Sequence, residues 1–440
     1  MTQTKSLVCW IQHIVVLHNR QYAVFVYKER VKIMRYILNE NVYLVKGKAR
    51  SCIYNFNTSK LYNINAPLAE KIEQTNLEGI YIDDVTSELK PILDEFVNMG
   101  ILSIGEAVRT HHIHELKTLD YGCLFAWIEI TTRCNLKCKH CYNESDAYCD
   151  VTMPLNDFKK IVDKLVEMKV EKIQLIGGEP FCEPSLLKEM LDYAVSKITY
   201  IEIFTNGTLF TPEWYEYLYK NGIHIALSLY SYNEQEHDKV TTVEGSWKKT
   251  NITIENLQKY SIPYRVCNVL MNDISLGEKN TELYELSTDK DIVRMSGRAN
   301  FSLLSEELLR KKLITKNSFR DKIQKTFSAR VISGHNCFNN KIYISADMKV
   351  YPCVMERRLM HSKVDQNGNF EFNESIRKLN KDYINECMEC EYRYACHDCR
   401  PNSLSGDVYE KPWYCTYDPQ NGIWMDEDSF VAKTIEQWRQ

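Results

Sequence analysis

Three cysteines at CxxxCxxC spacing directly follow a strand-like run. They are Cys134, Cys138 and Cys141 of CNLKCKHCY, and the run before them is WIEITTR. Three thiolates on one loop can hold three corners of an iron–sulfur cube, whereas a closed tetrahedral zinc site needs a fourth ligand. The open iron can bind the amino and carboxylate groups of S-adenosylmethionine and deliver one electron to it. A zinc site completed by a distant residue and a set of buried free thiols are the alternatives.

The motif GGEP at 177–180 ends a second strand-like run, KIQLIGG. Gly177 and Gly178 allow another backbone segment to approach closely, and the carboxylate of Glu179 can accept hydrogen bonds from an ammonium group. A tight strand-to-helix turn without ligand chemistry is the alternative interpretation.

Together, CNLKCKHCY and GGEP resemble the motifs of the radical SAM superfamily. The resemblance implies that the cysteine trio (Cys134, Cys138 and Cys141) binds the catalytic 4Fe-4S cluster and that GGEP receives the methionine amino group. It also implies cleavage of S-adenosylmethionine to a 5′-deoxyadenosyl radical, with His140 against the adenine. The residues that it assigns to this cofactor are His140, Tyr142, Gly177, Gly178, Glu179, Pro180, Asn206 and Ser228. For Ser228, a strand-end hydroxyl that satisfies the backbone is the alternative.

Cysteine density rises beyond residue 330, in HNCFNNKIYISADMKVYPC, ECMECEYRYACHDC and WYC. This tail resembles the SPASM extension carried by a subset of radical SAM enzymes. The resemblance implies two auxiliary 4Fe-4S clusters. Their ligands would be Cys387, Cys390, Cys396 and Cys415 for one cluster, and Cys337, Cys353 and Cys399 for the other. A zinc ribbon on CMECEYRYACHDC is the alternative, because both metals use CxxC pairs.

Three features of the tail depart from the SPASM pattern. The spacing after Cys396 is one residue short, Met348 stands where the hairpin glycine is expected, and ARVISGHN lacks a cysteine that many relatives place before the position of Cys337. We therefore expect only three cysteine ligands on the second auxiliary cluster. Its fourth ligand would be His335, His397, a water or a substrate thiolate, and the last of these would suit thioether formation.

Composition bounds the class of protein. The 440 residues, 44% of them hydrophobic, exceed what one core usually fills, so we expect two or three domains. The net charge of −4 comes without a long basic run, which argues against a nucleic-acid partner. The N-terminal apolar stretch is too short and interrupted to cross a membrane. Clustered cysteines fit metal ligation in a reducing compartment, so we predict a cytoplasmic protein.

Alternating strand and helix patterns position the motifs. Six apolar runs have strand length: FAWIEIT, KIQLIGG, YIEIFTNG, IHIALSLY, YRVCNVL and DIVRMS. Amphipathic stretches between them predict parallel strands with right-handed crossovers and ligands at the carboxyl ends. The predicted fold class is α/β, a partial (β/α)6 TIM-type barrel with an N-terminal winged-helix unit and a C-terminal cysteine-rich SPASM domain. The predicted boundaries are 1–33 for an uncertain extension, 34–115 for the winged-helix unit, 120–325 for the barrel, 330–425 for the SPASM domain and 426–440 for a tail.

The first domain bears on the substrate. Residues 34–105 show the pattern of a β3α2 unit and resemble the PqqD-like element that binds leader peptides of ribosomally made precursors. A leader would add a strand to an exposed sheet edge; a generic packing module is the alternative. The whole layout resembles peptide maturases of the grasp-with-SPASM type. This resemblance implies as partners a ribosomal precursor peptide, a reductase or flavodoxin-type electron donor, and an ATP-grasp ligase acting on the same peptide.

The predicted function is therefore a radical SAM/SPASM peptide maturase that installs a crosslink or another oxidative modification. An anaerobic sulfatase-maturating enzyme is one alternative, but such enzymes typically place Asp after the YPC cysteine, where this chain has Val354. A non-catalytic leader-binding or electron-transfer iron–sulfur protein is another, which the intact motifs disfavour. Cys182, just past GGEP, and Cys267, in the fifth strand, are candidate hydrogen donors to a substrate radical.

Overall fold

The computed structural model describes residues 34–440 except 119–121, 273, 277–278, 280–282, 287–291, 320–321, 336, 398, 401–405 and 440. The predicted extension 1–33 lies outside the described residues. The strands are β1 Arg35–Leu38, β2 Val42–Lys46, β3 Ser51–Asn55, β4 Lys60–Ile64, β5 Ile80–Tyr81, β6 Leu102–Gly105, β7 Phe125–Thr131, β8 Lys172–Gly177, β9 Tyr200–Thr205, β10 His224–Ser228, β11 Tyr264–Cys267, β12 Lys341–Ile344, β13 Lys349–Tyr351, β14 Ser362–Lys363, β15 Tyr417–Asp418 and β16 Ile423–Trp424. The helices are α1 Ala66–Leu77, α2 Lys90–Asn98, α3 Leu155–Glu167, α4 Pro184–Ala194, α5 Pro212–Lys220, α6 Glu234–Thr241, α7 Ser246–Lys259, α8 Glu306–Lys312, α9 Lys325–Ser333, α10 Glu374–Arg377 and α11 Glu427–Arg439.

The N-terminal unit holds two three-stranded sheets, β5-β1-β6 and β2-β3-β4. The predicted β3α2 unit is therefore wrong in its strands: its described residues form six, and RYILNENVYLV contains two of them, β1 and β2. Asn41 adopts a φ of 62°, a left-handed conformation that asparagine tolerates, and the chain turns there between β1 and β2. The sheet β2-β3-β4 packs one face on its own helix and the other on the tail, so that every residue of β3 is buried.

The central sheet has the order β11-β10-β9-β8-β7-β12-β13-β14, and the six strands β7 to β12 all run parallel to one another. The first five predicted strands are all present. The predicted sixth, DIVRMS, is not: in the described part of that run only Ile292 makes an isolated bridge, to Leu270. Val293 is 1% exposed and packs in a hydrophobic cluster instead, so its apolar character serves packing.

The tail supplies the remaining parallel strand. β12 pairs with β7 on the side opposite β11, and β13 and β14 extend the sheet as antiparallel strands. Met348, in the β12–β13 turn, has a φ of 67°, the left-handed conformation that glycine adopts easily. Over the described residues the sheet does not close into a barrel, in agreement with the predicted partial barrel. Within the described residues, no helix has the length and apolar character needed to cross a membrane.

Candidate active site

Four neighbouring parallel strands end where the predicted motifs begin. β7 ends at Thr131, β8 at Gly177, β9 at Thr205 and β10 at Ser228. Their carboxyl ends lie along one edge of the sheet, because parallel strands all point the same way. The loops that carry the cysteine trio, GGEP and Asn206 therefore converge at this edge.

The GGEP backbone lies directly against the loop that precedes the trio. Gly178 N donates to Thr131 O at 2.8 Å, and Glu179 N donates to Arg133 O at 2.7 Å. A Cβ at Gly178 would overlap the Arg133 carbonyl oxygen and lie 2.6 Å from that of Thr132. Glycine is needed at 178 because two backbones meet there.

Glu179 is fully buried and holds a junction between loops. Its Oε1 accepts from Thr205 Oγ1 at 2.7 Å and from Phe181 N at 3.1 Å, while Oε2 accepts from Asn206 N at 2.7 Å. Burial raises the pKa of Glu179 to about 7, although these hydrogen bonds oppose the shift. A carboxylate offers about four lone-pair sites, and three are used, so one remains for a ligand. Its role as acceptor of the methionine ammonium stays a prediction.

Two asparagines join the trio loop to the loop after β9. Asn206 Nδ2 donates to Asn135 Oδ1 at 2.9 Å, and Asn135 Nδ2 donates to Thr208 Oγ1 at 2.8 Å. Asn206 Nδ2 also lies 4.0 Å from Cys134 Sγ. Sequence reasoning missed Asn135, which stands next to Cys134 inside the motif and gave no separate signal.

The three trio thiols lie near enough to influence one another's pKa, and their binding of a cluster stays a prediction. The described part of the chain contains no disulfide, and Cys134 is 8% exposed with Cys138 and Cys141 partly buried. Burial, together with the neighbouring Cys141 sulfur, raises the pKa of Cys138 to about 12. A thiol with such a pKa stays protonated at neutral pH unless a metal displaces the proton. In the described residues no three His, Cys, Asp or Glu side chains are placed to hold a single metal ion.

Arg298 clamps the trio loop and was not assigned a role from the sequence. Its Nη1 donates to Cys138 O at 3.3 Å, and its Nη2 donates to the carbonyls of Ser145, at 2.8 Å, and Glu144. The backbone N–H of Arg298 donates to Cys141 O at 3.1 Å. The segment that carries Gly297 and Arg298 can approach the trio loop closely because Gly297 has no side chain. A Cβ at Gly297 would lie 2.6 Å from the Tyr142 carbonyl oxygen.

The predicted adenine neighbour, His140, lies in an aromatic cluster. Its ring meets Tyr230 edge-to-face at 4.7 Å, and burial lowers the pKa of His140 to about 4, so the imidazole is neutral at physiological pH. His140 Nδ1 is buried without a hydrogen-bond partner among the described residues. The Tyr230 side chain hydrogen-bonds with the Ser228 side chain, a contact that tests neither interpretation of Ser228. The contacts of His140, Tyr142, Pro180 and Ser228 with the cofactor stay predictions.

The two candidate hydrogen donors have different surroundings. Burial, with the Glu179 charge nearby, raises the pKa of Cys182 to about 11, which keeps its S–H at neutral pH. Cys267 Sγ instead accepts a hydrogen bond from Arg265 Nη1 at 2.8 Å. The donor roles of Cys182 and Cys267 both stay predictions.

The four cysteines predicted for the first auxiliary cluster line one cavity in the tail. Cys387, Cys390, Cys396 and Cys415 surround it together with Lys381 and Lys411. Burial raises the pKa of Cys415 to about 11, with Cys396 as the next contributor. Four sulfurs around one cavity suit a four-cysteine cluster.

Two of the three cysteines predicted for the second auxiliary cluster are neighbours. Cys337 and Cys353 pack on one hydrophobic cluster, and burial followed by the Cys337 sulfur raises the pKa of Cys353. His335, a candidate fourth ligand, accepts a hydrogen bond at Nδ1 from Cys337 N at 3.2 Å. The inclusion of Cys399, which is partly buried, stays a prediction.

Comparison with known proteins places the central region. A family model described as the Radical SAM superfamily matches residues 128–285, which include the trio and GGEP. The antilisterial bacteriocin subtilosin biosynthesis protein AlbA of Bacillus subtilis (strain 168) is 34% identical over 214 residues, covering 48% of this chain and 46% of AlbA. The AdoMet-dependent heme synthase of Methanosarcina barkeri (strain Fusaro / DSM 804) is 25% identical over 341 residues, covering 67% of this chain and 97% of that protein.

Among solved structures, Streptococcus suis SuiB matches with a TM-score of 0.47 and 14% identity, covering 87% of this chain and 100% of SuiB. The match to AlbA spans less than half the length of that protein. The family match begins within β7 and continues past β11, over the strands whose carboxyl ends form the site. This chain therefore carries a radical SAM domain, the domain of a superfamily of enzymes that use a 4Fe-4S cluster and S-adenosylmethionine.

Proposed function

We propose that this protein is a radical SAM peptide maturase that abstracts hydrogen from a ribosomal precursor peptide and installs a crosslink or another oxidative modification. The observation that carries the proposal is the hydrogen-bonded junction of the trio loop, GGEP and Asn206 inside the matched domain. The bound cofactors supply one-electron cleavage of S-adenosylmethionine to the 5′-deoxyadenosyl radical.

The chain's own residues bind and orient in this proposal. The free lone pair of Glu179 accepts from the methionine ammonium, and the close approach of Gly178 to Arg133 sets the distance between GGEP and the trio. His140, neutral and partly buried, offers an uncharged ring and an Nδ1 without a hydrogen-bond partner among the described residues for the adenine. The junction keeps water away because Glu179 and Thr205 are at most 2% exposed.

A peptide substrate is supported by the name of AlbA, a bacteriocin biosynthesis protein, and by the N-terminal unit. A groove there is lined by residues of α1, β5 and the start of α2, and among the described residues β5 is an edge strand that pairs with β1 alone. An extended leader can add a strand beside β5 while the groove receives its side chains. Leu77, Tyr81 and Ile92 expose apolar surface in this part of the unit.

Substitution of two isoleucines tests whether the leader binds in this groove. Ile92 lines the groove and Ile104 lies on β6 at the opposite edge, and each side chain is 43% exposed. We expect Ile92→Arg to weaken binding of a fluorescent synthetic leader from the neighbouring precursor gene by about tenfold or more, or about 1.4 kcal/mol. Ile104→Arg should bind as the wild type does. Equal loss in both variants would rule out the groove.

We also propose two auxiliary clusters, on the cysteines given above, and an electron donor of the reductase or flavodoxin type. A cytoplasmic location would keep these thiols reduced, and an ATP-grasp ligase would act on the same peptide. Four cysteines lining one cavity support the first of the two clusters.

The decisive experiment is anaerobic reconstitution followed by reduction with S-adenosylmethionine present. We expect 5′-deoxyadenosine, and a mass change in a co-expressed precursor encoded near this gene. Replacing the trio by alanine should abolish both products while iron remains in the tail. Deoxyadenosine without any change in a precursor would exclude the peptide substrate but keep the radical chemistry; its absence from loaded wild-type protein would overturn the whole proposal.

A further inference from the structure

A buried lysine lies against one of the tail cysteines. Lys381 is 4% exposed, and its Nζ donates a hydrogen bond to Cys396 Sγ at 3.1 Å. Both residues line the four-cysteine cavity. A lysine ammonium is costly to bury unless a negative partner lies beside it, and a metal-bound thiolate is such a partner.

The backbone on either side of Lys381 is held in place. Asn380 Nδ2 donates to Ile332 O at 2.9 Å, and Asn380 Oδ1 accepts from Asp382 N at 2.9 Å. Asp382 in turn accepts from Arg393 Nε at 3.1 Å and from the Tyr394 hydroxyl at 2.6 Å. The lysine therefore reaches the cavity from a short helical turn anchored at both ends.

A second lysine adds positive charge to the same cavity. Lys411 Nζ donates to Tyr417 O at 3.0 Å and lies 2.6 Å from the carboxylate of Glu386. Lys411 is paired with Glu386, whereas Lys381 donates a hydrogen bond directly to a cysteine sulfur. Hydrogen bonds to ligand sulfurs and nearby positive charge make an iron–sulfur cluster easier to reduce.

We propose that Lys381 is a positioning residue that raises the reduction potential of the auxiliary cluster bound by Cys387, Cys390, Cys396 and Cys415. The inference rests on the auxiliary cluster of the proposed function, and it concerns the hydrogen bond to Cys396 in particular. Lysine can be replaced by methionine, which has similar length but no charge and no N–H donor.

The test uses full-length protein whose trio is replaced by alanine, so that only tail iron remains. Lys381→Met, Lys381→Arg and the control Lys378→Met are introduced into it and reconstituted anaerobically. Lys378 is three residues away, and its side chain is 63% exposed and paired with Glu374. Iron content and a redox titration followed by electron paramagnetic resonance are measured on each.

We expect Lys381→Met to keep its iron and to shift one auxiliary signal to lower potential. The reduced-to-oxidised ratio at a fixed potential should fall on the order of tenfold, or about 59 mV for one electron. Lys381→Arg and Lys378→Met should keep the original midpoint. Iron loss in Lys381→Met that Lys381→Arg restores at the original midpoint would support the proposal as well.

Two results would overturn the inference. One is full iron with an unchanged midpoint in Lys381→Met, and the other is equal iron loss in Lys381→Met and Lys381→Arg, which would make the residue structural. If the trio-free protein itself holds no iron, the auxiliary cluster and this inference both fail. Cleavage of S-adenosylmethionine by the wild-type protein would then still stand as separate evidence for the radical SAM chemistry.

Discussion

At the residue scale, two positions in GGEP can be separated by their chemistry. Gly178 has a steric role, because its backbone touches that of Arg133. Glu179 has an electrostatic role, because it is a buried carboxyl with one lone pair not used by the protein. Changing Gly178 should therefore disturb the geometry of the S-adenosylmethionine site, and changing Glu179 should alter how binding depends on pH.

Gly178→Ala should separate GGEP from the trio loop, because its Cβ would overlap the Arg133 carbonyl. We expect at least about tenfold weaker binding of S-adenosylmethionine by calorimetry on the reconstituted protein, equal to about 1.4 kcal/mol. Gly222→Ala is the control: its φ is 62° but no atom lies within 4 Å of the added Cβ. That variant should lose about 1–2 kcal/mol of stability and bind normally. Normal binding by Gly178→Ala would refute the steric role.

Glu179 should make binding depend on pH. Its pKa is raised to about 7 from an ordinary value of 4.5, so between these values the folded state binds more protons than the unfolded state. Unfolding free energy therefore falls as pH rises through that window. Affinity for S-adenosylmethionine should instead rise about tenfold from one unit below 7 to one unit above it, because only the ionised carboxylate accepts an ammonium fully.

Titration calorimetry across that range tests the Glu179 prediction. Glu179→Gln should remove the pH step, whereas Glu167→Gln, whose side chain is 70% exposed on α3, should keep it. An unchanged step in Glu179→Gln would assign the titration to another group.

At the element scale, the loop between β7 and α3 gains its shape from distant segments. Lys137 N donates to Thr241 O at 3.1 Å, Lys139 N donates to Val240 O at 3.0 Å, and Arg298 binds three carbonyls of the loop. The end of α6 and the segment around Arg298 thus hold the trio loop in its conformation.

Arg298→Lys should weaken the hydrogen bonds that hold the trio loop, because one ammonium cannot reproduce the forked donors of a guanidinium. Loss of buried hydrogen bonds costs roughly 1–3 kcal/mol. We expect a chelator to remove the trio's cluster about tenfold faster from this variant than from the wild type. That cluster is identified as the one whose electron paramagnetic resonance signal changes when S-adenosylmethionine is added. Arg310→Lys, an exposed helical ion pair with Glu306, is the matched control and should match the wild type. Equal rates in all three proteins would show that Arg298 does not hold the loop.

At the scale of the whole molecule, the N-terminal unit and the tail form one packed body. Tyr54 Oη donates to Glu391 O at 3.0 Å, and Arg393 Nη1 donates to Lys46 O at 2.8 Å. Glu391 is fully buried and accepts from Asn63 Nδ2 and from the Tyr417 hydroxyl, each at 2.6 Å. The segment between Cys390 and Cys396 is thereby bonded to the proposed leader-binding unit.

Asn63→Ala should destabilise this junction, because it leaves a buried carboxylate with one donor fewer. The cost is roughly 1–3 kcal/mol, and we expect the thermal midpoint measured by circular dichroism to fall by several degrees. Asn98→Ala, which removes an exposed amide contact with Glu95, should change stability by less than about 0.5 kcal/mol. A midpoint no lower than that of Asn98→Ala would mean that the junction adds nothing to stability.

The sequence alone determined the local features of this protein. The trio spacing, GGEP, the first five parallel strands and the cysteine-rich tail were all predictable, because each depends on residues close together in the chain. Tertiary structure alone decided which distant segments meet. β12, from the tail, pairs with β7, whereas the described part of DIVRMS adds no strand beside β11 at the other edge. Arg298 hydrogen-bonds with the Cys138 carbonyl, 160 positions away in the chain. No periodicity encodes such partners, since they are chosen when buried polar groups and apolar faces are satisfied together in the folded chain.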